Sequence, residues 1–136
     1  MRANKWWRHS CAAAVFAMSV YCKRCLACSG MSLAGGTTLT SPMGSVASAN
    51  LTPDASGISY YDEALFIQAL RTGTVKARQL NPTMPYSETK FMTDDELKAV
   101  FAYLRTVAPV KHRVDNGLPP TFCKLCQSKH GAGDQN

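Results

Sequence analysis

The sequence predicts a small all-α domain with long irregular loops, on three observations. Two stretches carry apolar residues at helical spacing behind recognisable N-caps, 59–73 and 93–107. The segment from Gly30 to Gly57 is dense in Gly, Ser, Thr and Pro and almost free of charge, as an irregular extended connection would be. The stretch between the two helices, Thr74 to Phe91, sets two prolines around Thr83-Met84 and so reads as a loop. At 136 residues the chain fits one core. Its expected organisation is a signal peptide at 1–19, a helical domain at 20–110 and a Cys/His-containing tail at 111–136.

The first element is an export signal. A basic start, Met1 to Ser10, precedes an alanine-rich apolar run from Cys11 to Val20, and Ala17-Met18-Ser19 offers small residues for cleavage. The run is shorter than the roughly 20 apolar residues that cross a bilayer, and nothing after it resembles a transmembrane segment. The expectation is therefore an exported, periplasmic protein. Of the fifteen basic residues, Arg2, Lys5, Arg8, Lys23 and Arg24 lie in 1–30 with no acid beside them, whereas the remainder of the chain is nearly balanced. The net charge of +6 thus belongs to the start of the chain, and nucleic-acid binding is excluded as a reading of the rest.

The first helix is expected to start at Ser59, with the Asp62 carboxylate close to the free amides of its first turn. Tyr61, Leu65, Phe66, Ala69 and Leu70 form its apolar stripe and Gly73 its stop. The second helix, Asp94 to Val107, is marked by a Thr93-x-x-Glu96 capping box and by Met92, placed to pack on Leu97. Its core face is Leu97, Val100, Phe101 and Leu104, and Pro109 ends it.

Met84 is held between Pro82 and Pro85 in the loop between the helices, and a thioether can ligate haem iron as a soft, neutral ligand. Around it, Ala49-Asn50-Leu51-Thr52-Pro53-Asp54, Gly57-Ile58, Tyr60-Tyr61, Ala69-Leu70-Arg71-Thr72-Gly73, Pro82-Thr83-Met84-Pro85-Tyr86 and Met92 to Thr106 occur in an order that resembles the class I c-type cytochromes. The resemblance covers about residues 33–110, includes Leu33-Ala34-Gly35-Gly36, and is closest to the bacterial branch that accepts electrons from periplasmic dehydrogenases. It implies a haem c electron carrier, not an enzyme, with Met84 as distal iron ligand and a dehydrogenase or another cytochrome as redox partner. It further implies haem attachment at Cys25 and Cys28. There the chain departs from the C-x-x-C-H pattern, because Ser29 stands where the family has its proximal histidine.

The six cysteines fall mostly into two tight groups, which is the habit of cofactor or metal sites more than of a disulfide framework. Cys22, Cys25 and Cys28 begin an iron–sulfur run that lacks its fourth cysteine. In the tail, Cys123, Cys126 and His130 offer three zinc ligands within eight residues, with Asp134 or a cysteine of the first group as candidate fourth. A local disulfide and a pair of reduced thiols fit the same spacing. His112 is expected at the surface. The chain therefore admits a second reading, a haem-free cytochrome-like binding module with a zinc or disulfide site at its C-terminal end. A hydrolytic or group-transfer enzyme finds no support: no Ser-His-Asp ordering, phosphate loop or H-E-x-x-H is present, and Asp94, Asp95 and Glu96 suit a helix N-terminus.

Overall fold

In the computed structural model, residues 33–83 and 89–136 are described. The all-α expectation is overturned. Alongside two helices the chain forms three two-stranded antiparallel pairs, so the domain is mixed helix and hairpin. In order these are β1 (Thr38–Ser41), β2 (Gly44–Ala47), α1 (Glu63–Thr72), β3 (Thr74–Val75), β4 (Arg78–Gln79), α2 (Asp94–Thr106), β5 (Pro120–Cys123) and β6 (Ser128–Gly131), followed by a short 3-10 turn at Gly133–Gln135.

The two helices appear where their periodicity places them. α2 carries the full capping box: Thr93 Oγ1 accepts from the Glu96 amide and the Glu96 carboxylate accepts from the Thr93 amide. α1 begins three residues later than expected. Its N-cap is Asp62, whose carboxylate accepts from the Leu65 N–H at 2.7 Å, while Ser59 belongs to the preceding turns. Gly73 closes α1 in the left-handed region at φ 69°, its N–H donating to Ala69 O.

The helices bury one shared core of Ile58, Phe66, Leu70, Leu97, Val100, Phe101 and Leu104, with Met92 and Tyr61 packed at its margin. Phe66 and Phe101 meet across the interface with ring centroids 5.1 Å apart. Arg71, in the last turn of α1, reaches the start of α2, donating to Lys90 O and Met92 O at 3.0 Å each and pairing with Asp94. One guanidinium thus spans the three residues that enter α2.

The segment expected to be irregular holds the β1–β2 hairpin, in which Thr38 faces Ala47 and Ser41 faces Gly44. The outer edge of β2 at Ala47 is met by a side chain: Asn116 Oδ1 accepts from the Ala47 N–H at 2.8 Å and its Nδ2 donates to Ala47 O at 3.0 Å. The Cys/His-containing tail folds into β5–β6 with Thr121 opposite His130 and Cys123 opposite Ser128. Among the described residues no helix is long and apolar enough to cross a membrane.

Candidate metal centre

The tail hairpin brings its ligand residues together by strand geometry. Thr121 and Cys123 point to the same face of β5 because strand side chains alternate, and His130, paired with Thr121, lies on that face too. Phe122, pointing the other way, is half exposed. Between the strands the chain turns back at Cys126, and Gln127 adopts a left-handed φ of 57°. These three are the expected tail residues.

The fourth member is His112, which sequence reasoning placed at the surface. It is instead fully buried, at 0% exposure, as is Cys123. One potential ligand atom from each of His112, Cys123, Cys126 and His130 lies within 4.8 Å of all the others. Of the expected fourth ligands, Asp134 is not part of this cluster. Asp134 is exposed and accepts from Thr121 Oγ1 at 2.8 Å, and the first cysteine group, including Cys25 and Cys28, lies outside the described residues. Met84 also lies outside them.

Residues 110–112 are positioned by the Asn50–Thr52 turn. Asn50 Nδ2 donates to Val110 O at 2.8 Å and to His112 O at 3.2 Å, and the Val110 N–H donates to Thr52 Oγ1. Ser56 Oγ accepts from the His112 N–H at 2.9 Å. The imidazole is then oriented by the Leu33–Gly36 turn, since His112 Nδ1 lies 2.7 Å from Ala34 O.

Those contacts decide both tautomers. A carbonyl can only accept, so His112 carries a proton on Nδ1, and so does His130, whose Nδ1 lies 2.9 Å from Gly131 O. Both Nε2 atoms are therefore lone-pair acceptors, and they face each other at 3.0 Å. Two lone pairs at that distance need a proton or a cation between them. Burial holds the His112 pKa below its ordinary value, opposed by the Ala34 bond and reinforced by the neighbouring His130. Cys123 Sγ sits 3.4 Å from the same His112 Nε2. Burial pushes the Cys126 thiol up, against the Ser128 hydroxyl, which lies 3.0 Å from its sulfur. Cys123 and Cys126 are both free thiols.

Two sulfurs and two imidazole nitrogens lie within 4.8 Å of one another, and the second nitrogen of each ring is bonded to a carbonyl. A tetrahedral ion with metal–nitrogen bonds of about 2.05 Å and metal–sulfur bonds of about 2.3 Å sets N···N near 3.3 Å and N···S near 3.5 Å. The observed His112–His130 and His112–Cys123 separations, 3.0 and 3.4 Å, are close to this set, within a cluster whose ligand atoms all lie inside 4.8 Å. The cluster can bind a metal, and it is closed, with every ligand residue buried.

No protein-family model matches the chain. It is similar to the fructose dehydrogenase cytochrome subunit of Gluconobacter japonicus, 42% identical over 94 residues, covering 63% of this chain and 19% of that one. It is similar to the gluconate 2-dehydrogenase cytochrome c subunit of Pantoea cypripedii, 39% identical over 103 residues, covering 70% and 23%. A third relative is the cytochrome c subunit of the quinone alcohol dehydrogenase of Komagataeibacter europaeus, 41% identical over 93 residues, covering 63% and 20%. The chain spans about a fifth of the length of these relatives. At about 40% identity over some two thirds of the chain, these similarities support a cytochrome c-type domain.

Proposed function

We propose that the chain is a cytochrome c-type electron-transfer domain serving a periplasmic dehydrogenase, with haem c attached through Cys25 and Cys28 and Met84 as distal iron ligand. The observation that supports it is the nature of the relatives. Their names specify dehydrogenases of three different substrates, fructose, gluconate and alcohol, and each names the cytochrome subunit of its dehydrogenase. What this chain shares with all three is therefore best read as the part that moves electrons, not the part that selects a substrate. Haem would supply the one-electron chemistry, and the chain would hold it and set its potential.

The described residues do not fit the proximal side of that haem. Their two histidines, His112 and His130, are both buried in the metal cluster with Nδ1 bonded to a carbonyl. Cys123 and Cys126 are buried in the same cluster and so are not free to form thioether bonds. The test is expression of the full chain with a cytochrome c maturation system. A covalently bound haem with a c-type absorption spectrum is expected, and a colourless protein would overturn the haem assignment.

That same commitment of His112 and His130 favours a second reading. The chain is then a haem-free cytochrome-like module whose tail site holds zinc, the metal that two thiolates and two imidazoles in a closed tetrahedral site suit best. Elemental analysis of the full chain gives about one zinc per molecule on this reading. A metal content well below that, in protein prepared without chelator, counts against it.

A further inference from the structure

We infer that a zinc ion held by His112, Cys123, Cys126 and His130 acts as a clip, fastening the C-terminal hairpin to the Leu33–Gly36 turn so that tail and helical body fold as one metal-dependent unit. This rests on the zinc reading of the tail site and goes beyond it by assigning the turn, far away in the chain, to the site.

The structure supplies the connection through three contacts. Ala34 O accepts a hydrogen bond from His112 Nδ1–H at 2.7 Å, and this bond leaves Nε2 free for the metal. Ser128 Oγ donates to Gly36 O at 2.8 Å while lying 3.0 Å from Cys126 Sγ, so one hydroxyl touches both the turn and a ligand. Gly36 itself lies against the cluster. A Cβ placed on it would stand 2.6 Å from His112 Cε1 and 2.8 Å from Cys126 Sγ, and its φ of 90° is one that L side chains rarely adopt. The turn therefore closes one side of the site with backbone alone.

The hairpin needs such a clip. Four-residue strands paired once are marginal in water, and β5–β6 adds nothing to the helical core, whose seven buried residues all precede it. Half-exposed Phe122 and Leu125 and the partly exposed Leu118 show that the hairpin buries little apolar surface of its own. Its buried side chains are the ligands. A metal ion binding only the ordered hairpin shifts the equilibrium toward it, which is how small zinc modules fold.

The test uses the full chain with zinc alone as the probe. Zinc affinity is measured by competition with a chromophoric chelator, and hydrogen exchange is followed with and without the metal. One zinc per chain is expected, with exchange slowed on zinc binding both in 120–131 and in 34–36. Ser128→Ala, which leaves every ligand and the backbone in place, should weaken zinc about tenfold or more, as loss of a supporting contact does. Gly36→Ala should weaken it further, and circular dichroism checks that the variant is folded. Failure of the unaltered chain to bind zinc overturns the zinc reading and the clip with it. Stoichiometric zinc binding, with affinity unchanged in Ser128→Ala and exchange in 34–36 indifferent to zinc, overturns the clip and leaves the zinc reading standing.

Discussion

Asn50 is the residue on which the helical body and the metal centre depend together, and replacing it measures the link. The side chain is 4% exposed and makes five polar contacts. Truncation to alanine does not strand all of these partners. Thr52 Oγ1 keeps Val110, whose N–H donates to it and whose carbonyl accepts from it, and Ser56 Oγ keeps Asp54 and the His112 N–H. Two groups lose their side-chain partner in buried residues, the Thr52 N–H and the His112 carbonyl. At about 1–3 kcal/mol for each unsatisfied group, Asn50→Ala should cost about 2–6 kcal/mol, measured by urea denaturation of the zinc-loaded chain. On the zinc reading, zinc affinity should fall with it, because the carbonyl that loses its anchor belongs to His112. Asn50→Asp separates the two halves of the amide at constant size. It keeps the acceptor for Thr52 but sets a negative charge against the Val110 and His112 carbonyls, so at neutral pH it should be the worse of the two. Its excess cost should shrink as the pH falls, since a protonated carboxyl regains one donor. A loss below about 1 kcal/mol for Asn50→Ala, or an aspartate variant indifferent to pH, would refute this account of the Asn50 contacts.

Three further outcomes test the helical body and its loop. Leu97→Ala removes a side chain with 0% exposure at the centre of the core and should cost about 2–5 kcal/mol in the same denaturation experiment. Thr93→Ala breaks the capping box at the start of α2 and should cost about 1 kcal/mol, with the denaturant slope unchanged. The Ser56 hydroxyl, and then the Ser56 N–H, hold the Asp54 carboxyl below its usual 3.8. A carboxyl lowered by folding contributes stability above its unfolded pKa and loses it as the pH falls through the folded value. NMR titration should therefore place Asp54 below 3.8, and Ser56→Ala should raise it.

What the sequence makes legible follows from how far each signal reaches along the chain. The core face of α2 and its capping box are local, and Leu97, Val100, Phe101 and Leu104 are all buried as their spacing requires. The start of α1 is less certain for a local reason: Ser59 and Asp62 both suit a cap. The choice falls to Asp62 because the Ile58 and Tyr61 amides are taken up by turns, so the chain enters the helix only after them. The hairpins escaped notice because β1 and β2 are short and largely polar, with little alternation to mark them.

His112 was hidden for a different reason. It lies eleven residues before Cys123, beyond the Pro119-Pro120 pair and outside any compact C-x-x-C…H spacing. A count would have found it, since the tail from 111 onward holds two cysteines and two histidines, one complete tetrahedral set. What no local pattern carries is the placement of that set. Asn50, Thr52 and the Ala34–Gly36 backbone belong to the segments that resemble a haem protein, yet the structure turns the Asn50 amide and the Ala34 carbonyl toward His112, bonds the Thr52 hydroxyl to Val110 and lays Gly36 against Cys126. A cytochrome-like frame thus supports a different candidate metal site, and the member of that cluster hardest to see in the sequence, His112, is the one that this frame positions.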